Sequence, residues 1–204
     1  MAMSAREEIL GRVRAALGDP RPPLQQVPAG YRDSASAPSS EQLVDLFLER
    51  VTDYRATAQR CPEDELAQRI AAVLDGLQRV VVPDGFPWAV GQTGRDSGLS
   101  TADLDDVDAV VTTAAVAVAT TGTIVLDHGP GQGRRALSLV PDVHVCVLRQ
   151  DQVVHDVPQA VSVLDPLRPT TWVSGPSATS DIELDRVEGV HGPRNLHVIV
   201  VGSA

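Results

Sequence analysis

Ala115-Val-Ala-Val-Ala-Thr-Thr-Gly-Thr-Ile-Val-Leu126 sets two short apolar runs on either side of Thr120-Thr-Gly-Thr123. A tight glycine-bearing turn between such runs joins neighbouring strands that pair antiparallel. Outward from this hairpin the chain repeats short apolar runs: Val80 to Val82, Ala109 to Val111, His144 to Leu148, Gln152 to Val154, Thr171 to Val173 and Leu196 to Val201. Each has the length and β-branched content of a strand. Helical patterns are expected between them near Arg134 to Leu139, Pro158 to Leu164 and Ser180 to Val187. This alternation predicts an α/β fold with a mostly parallel sheet flanked by helices, made mixed by the hairpin at 115–126.

Two amphipathic helices are expected ahead of the sheet. One runs from Ser40 through Leu43, Val44, Phe47, Leu48 and Val51; the other starts at Pro62 and continues through Leu66, Ile70, Val73 and Leu74. Further upstream, Ser4-Ala-Arg-Glu7 is a capping box, Ile9, Leu10, Val13 and Leu17 share one helical side, and Gly18 is a stop signal. Residues 19–40 hold five prolines among Ser, Ala and Gly, the composition of a linker. The expected organisation is an N-terminal helix and Pro-rich linker over 1–40, then one α/β domain over 41–204.

Composition narrows the chemistry. At 204 residues and 43% hydrophobic content the chain can bury a full core. No apolar run reaches the roughly 20 residues that span a bilayer, and the charged N-terminus lacks the apolar centre of a secretion signal. A net charge of −10 argues against nucleic acid. All 17 basic residues are arginine, which excludes a lysine Schiff base and the lysine of a phosphate-binding P-loop. Cys61 and Cys146 stand far apart, so neither a zinc-finger pattern nor an iron–sulfur ligand set is present, and Cys146 reads as a buried strand thiol. The expected compartment is the reducing cytoplasm.

Several segments carry polar groups that suit a site. Thr121, Gly122 and Thr123 either hold an anion or carbonyl through hydroxyl and backbone N–H groups, or simply form the hairpin turn. Gly129-Pro-Gly-Gln-Gly-Arg-Arg135 reads as a flexible loop ending in Arg134 and Arg135, whose guanidinium groups suit a carboxylate or phosphate. It completes no GxGxxG fingerprint, so no nicotinamide site is inferred. Gly175-Pro-Ser-Ala-Thr-Ser-Asp-Ile-Glu183 lies between two strands and is followed by Gly189-Val-His-Gly-Pro193. Gly175, Ser177, Thr179 and Ser180 are ligand-binding candidates there; Asp181, Glu183 and His191 are candidate acids or bases. Ser180 and Glu183 also fit a second capping box, which leaves a purely structural role open. His197 alternates with apolar neighbours and reads as structural. No metal site is expected.

Taken in order, Thr121-Gly-Thr-Ile124, Arg134 or Arg135 followed by Leu139-Val-Pro141, His144, Gly175-Pro-Ser, Asp181-Ile-Glu183 and Gly189-Val-His-Gly-Pro193 resemble the lactate-utilisation (LUD) domain family, and its short, cysteine-poor members most closely. The resemblance covers roughly residues 80–202. It implies a fold similar to the sugar-phosphate isomerase and CoA-transferase group. It also implies a role in a bacterial system that oxidises L-lactate to pyruvate beside iron–sulfur partner proteins. On that reading the clusters sit on the partners, this chain binds no cofactor of its own, and its loops bind a substrate carboxylate or a partner surface. A stand-alone isomerase- or transferase-like enzyme, binding a phosphorylated or CoA-linked small molecule, is the alternative.

Overall fold

The computed structural model describes residues 4–18, 38–91, 93–96, 98–179, 187–188 and 191–202, with the backbone alone at 178, 179, 187 and 188. The chain divides into a unit ending at Ala37 and a second beginning at Pro38. In the first, helix α1 (Ala5–Leu17) starts at a complete capping box. Glu7 N–H donates to Ser4 Oγ at 3.3 Å, and Ser4 N–H donates to the Glu7 carboxylate at 2.8 Å.

The second unit is framed by six parallel strands in the order β1 (Thr57–Pro62), β12 (Asn195–Gly202), β7 (Val143–Arg149), β4 (Ala109–Thr113), β2 (Val80–Val82) and β3 (Gly94–Arg95). Central parallel strands are covered on both faces, so they read as unbroken apolar runs; residues 144–148 are all buried in β7. The hairpin belongs to a separate four-stranded sheet, β8 (Val153–Val154), β5 (Val116–Val118), β6 (Thr123–Leu126) and β9 (Thr171–Val173). There β5 pairs antiparallel with β6, as its turn requires, and β6 antiparallel with β9.

The two sheets are held together by helix α2 (Ser40–Asp53). Its Val44, Phe47 and Val51 are at most 1% exposed and share a cluster with Ala117 and Ile124 of the small sheet and Cys146, Leu148, Val198 and Val200 of the large one. The other face of the large sheet, with Val145, Val147, Ile199 and Val201, packs on Leu66 and Ile70 of α3 (Leu66–Val73). Helix α6 (Val157–Val163) covers Val116, Val118 and Val125 through Ala160. Leu104 of α4 (Thr101–Asp105) and Leu137 of α5 (Arg135–Leu139) seal Val81 and Val110. Burying a side chain the size of Phe47 contributes about 1.5–3 kcal/mol, so α2 is the main clamp between the sheets.

Four details depart from the sequence reading. The second helix does not begin at Pro62: Thr57–Pro62 is strand β1, then a 3₁₀ turn at Glu63–Glu65 leads into α3. β1 is an edge strand with one neighbour and only Cys61 buried, so it carries no apolar periodicity. Gln152 closes a 3₁₀ turn, Gln150–Gln152, and the strand starts at Val153. Val187, expected at the end of a helix, lies in β11 (Val187–Glu188), which pairs antiparallel with β10 (Ala178–Thr179); residues 180–186 fall outside the described residues. The glycine-rich loop after Asp127 is tied down rather than free. Asp127 Oδ1 accepts from Gly129 N–H and Gln132 Nε2, Gln132 Oε1 accepts from Asp127 N–H at 2.7 Å, and Arg168 pairs with Asp127 at 2.9 Å. No helix among the described residues is long and apolar enough to cross a membrane.

Candidate functional site

The two polar loops singled out in the sequence meet in space. Residues 174–177 leave β9, residues 191–193 enter β12, and two hydrogen bonds join them: Ser177 N–H donates to Pro193 O at 2.8 Å and His191 N–H donates to Ser177 Oγ at 2.9 Å. Gly175 makes the approach possible. Its φ is +82°, and a Cβ there would stand 2.6 Å from Tyr54 Cβ at the end of α2. A side chain at this position would therefore push the loop off the domain.

Between the loops and the large sheet lies a cavity of about 310 Å³. Arg135, Ser138 and Leu139 of α5 form one wall, residues 171–177 another and residues 191–193 a third; His144 of β7 and Leu196 of β12 close its inner end. Arg135 is exposed, and among the described residues its guanidinium makes no ion pair or hydrogen bond. Among the described lining residues it is thus the available cation. Its neighbour is spent elsewhere. Arg134 donates from Nε to Asp96 Oδ2 at 2.6 Å and from Nη2 to Asp96 Oδ1 at 3.1 Å, and also bonds the Leu99 carbonyl. That guanidinium holds the Asp96 carboxyl below the usual carboxylate range. Arg134 does not line the cavity.

The inner end is neutral. His144 is 1% exposed, its Nε2 lies 2.8 Å from Thr112 Oγ1, and burial pushes its pKa down to about 4. At neutral pH it is an uncharged imidazole, too weakly basic for a general base near pH 7. Thr171 is held from behind. His128 Nδ1 lies 3.0 Å from Gly133 O, which as a carbonyl must accept, so Nε2 is left to accept from Thr171 Oγ1 at 3.3 Å. His128 adopts φ +59° to do this. On the same strand face as His144, the buried Cys146 thiol is pushed up to about 12 by desolvation and stays protonated.

The remaining sequence candidates sort by position. Thr121, Gly122 and Thr123 do not line the cavity. Gly122, at φ +59°, packs against the α2 backbone, where a Cβ would meet Arg50 C at 2.7 Å. The hydroxyls run in series, Thr121 Oγ1 to Thr123 Oγ1 and Thr123 Oγ1 to Ser174 Oγ, both at 2.7 Å, so the turn supports the cavity rim through Ser174. His191 is exposed and lines the cavity, and it also borders a neighbouring depression with Asp105, Asp108 and Asp142. Thr179 lies in β10; Ser180, Asp181 and Glu183 lie outside the described residues. Ser138, Thr171 and Ser174, absent from the sequence-based site, were hidden in apolar or turn-like segments. His144 did leave a signal: with Cys146 and Leu148 it occupies the inward alternate positions of a strand, where an imidazole needs a reason. His197 is half-buried on β12, with its pKa lowered by burial and Nδ1 sealed without a partner. Among the described residues no group of three or more His, Cys, Asp or Glu side chains could share a metal ion.

One cation, several hydroxyls, a buried neutral imidazole and an exposed one suit a small anion with a polar substituent. The model of the LUD domain matches residues 63–201. Over 97% of this chain and 96% of its own length, a Deinococcus radiodurans protein named Lactate utilization protein C is 46% identical. A protein of the same name from Halalkalibacterium halodurans is 29% identical over 95% of this chain and 93% of its own. A crystal structure of a DUF162 family protein from Deinococcus radiodurans superposes with a TM-score of 0.71 and 43% identity, covering 81% of this chain and all of that one.

Proposed function

This chain belongs to the LUD domain family, and we propose that it serves lactate utilisation as a component without its own redox centre, holding a small carboxylate in the cavity beside Arg135. The observation that carries the carboxylate reading is the pairing of the 174–177 and 191–193 loops around one uncommitted guanidinium. A single guanidinium matches one carboxylate in two parallel hydrogen bonds. A phosphorylated ligand would be better served by two cations, and Arg134 is committed to Asp96. A cavity of about 310 Å³ lies at the small end for ligand sites and suits a few-carbon acid better than a CoA thioester.

The role in lactate use is supported by relatives that carry that name across nearly the full chain. Two cysteines are too few for a four-thiolate iron–sulfur cluster. Electron transfer is therefore assigned to iron–sulfur partner proteins, with this chain binding substrate or product at their contact. The test is to purify the chain alone and with co-expressed genomic neighbours, then measure L-lactate-dependent electron transfer and complex formation. A stable complex whose lactate oxidation needs this chain is the expected result. Equal oxidation with and without it, and no complex, would defeat the proposal.

A further inference from the structure

We propose that His144 is the specificity-determining residue of the cavity, its Nδ1–H reading a hydroxyl or carbonyl oxygen on the carbon next to the bound carboxylate. The inference rests on the carboxylate reading of the cavity given above.

Three observations converge on it. First, the buried His144 and the exposed Arg135 line the same cavity, which offers a small ligand both a cation and a neutral ring. Second, the two ring nitrogens have separate employment. Nε2 is taken by Thr112 Oγ1 at 2.8 Å, whereas Nδ1 bonds no group among the described residues, and the ring lines the cavity. Third, Thr112 holds the ring by one nitrogen. Thr112 and Cys146 stand directly opposite on neighbouring strands. With the Thr112 hydroxyl donating to Nε2, 2.8 Å away, the ring is the Nδ1–H tautomer. The ring's own proton then sits on Nδ1 and points at the ligand.

A neutral donor does what a second cation could not. It adds nothing to the attraction for carboxylates in general, and it is satisfied only by a ligand with an oxygen in the right place. An analogue lacking that oxygen leaves a buried N–H unpaired, the kind of mismatch that sites built around a polar contact reject most strongly.

The decisive experiment is calorimetric titration of the purified full chain with L-lactate, pyruvate and propionate, which share size and charge but differ at the second carbon. The wild type is expected to bind lactate or pyruvate about tenfold more tightly than propionate. His144→Leu should bring the three within about twofold, mainly by weakening the oxygenated acids. His144→Asn, whose amide can donate from near the Nδ1 position, should keep a preference of several fold. Thr112→Val preserves strand shape but releases Nε2, and should narrow the preference; it decides the matter if His144→Leu does not fold. Carboxylates that bind without regard to the second-carbon oxygen, or a preference unchanged in His144→Leu or Thr112→Val, would overturn the role of His144 and leave the carboxylate site standing. If none of the three acids binds, the carboxylate reading falls and this inference with it.

Discussion

The buried imidazole at 144 makes a measurable demand on stability. In the unfolded chain it takes a proton near its model value of 6.5, and in the folded protein only at about 4, because burial penalises the cation. Between those values the unfolded state binds the extra proton, so stability is complete at pH 7 and falls as pH drops through 6.5 toward 4. A pKa lowered from 6.5 to about 4 makes the full loss about 3 kcal/mol, of which about 2.5 kcal/mol is reached at pH 4.5. His197, also lowered by burial, acts in the same direction. The carboxyls of Asp96, Asp103 and Asp108, all lowered by hydrogen bonds, withdraw their contribution at still lower pH, as pH falls below the ordinary Asp value of 3.8. Urea unfolding of wild type and His144→Asn at pH 7 and pH 4.5 isolates the effect. The variant, whatever its absolute stability, should lose about 2.5 kcal/mol less across this interval. Parallel losses in the two proteins would refute the burial argument, and with it the neutral inner end of the cavity.

Three further outcomes follow from particular contacts. Gly175→Ala forces a side chain at φ +82° to within 2.6 Å of Tyr54 Cβ; it should cost about 3 kcal/mol in chemical denaturation and abolish ligand binding, and wild-type behaviour in both would remove the reason for this glycine. Arg134→Gln breaks the bidentate pair with Asp96 and should lower stability by about 1 kcal/mol while leaving carboxylate affinity within twofold; a large affinity loss would assign Arg134 to the ligand after all. His191→Ala, at an exposed position bound to Ser177 only through its backbone N–H, should reduce lactate-dependent electron transfer in the assembled system about tenfold or more with little change in thermal stability; equal loss of both would make the imidazole structural.

The sequence announced the central strands because each is buried on both faces, and it announced the hairpin because Gly122 needs a positive φ to close it. It concealed β1, an edge strand whose exposed Thr57 and Arg60 carry no pattern, and the two-residue strands β3, β10 and β11, too short to carry one. Division into two sheets was also unreadable, since it depends on α2 wedging Phe47 between them. For the site, glycine and proline punctuation drew the eye to Gly175, Ser177 and His191, which line the cavity. Arg134 and Arg135 were indistinguishable in sequence, because what separates them is the long-range partner Asp96, 38 residues away. Thr121 and Thr123 could be read as anion ligands or as a plain turn; their hydroxyls bond each other and Ser174.

Arg135 is the residue on which carboxylate binding in this cavity depends. Trp172 borders the same cavity, so in a Trp88→Phe background its emission reports ligand entry. Titrating L-lactate should give a saturable change in this protein, and at least tenfold weaker binding when Arg135→Gln is added, with thermal stability unchanged because the guanidinium holds no partner among the described residues. A flat titration, or equal affinity with and without Arg135, would contradict the claim that this cavity is a carboxylate site.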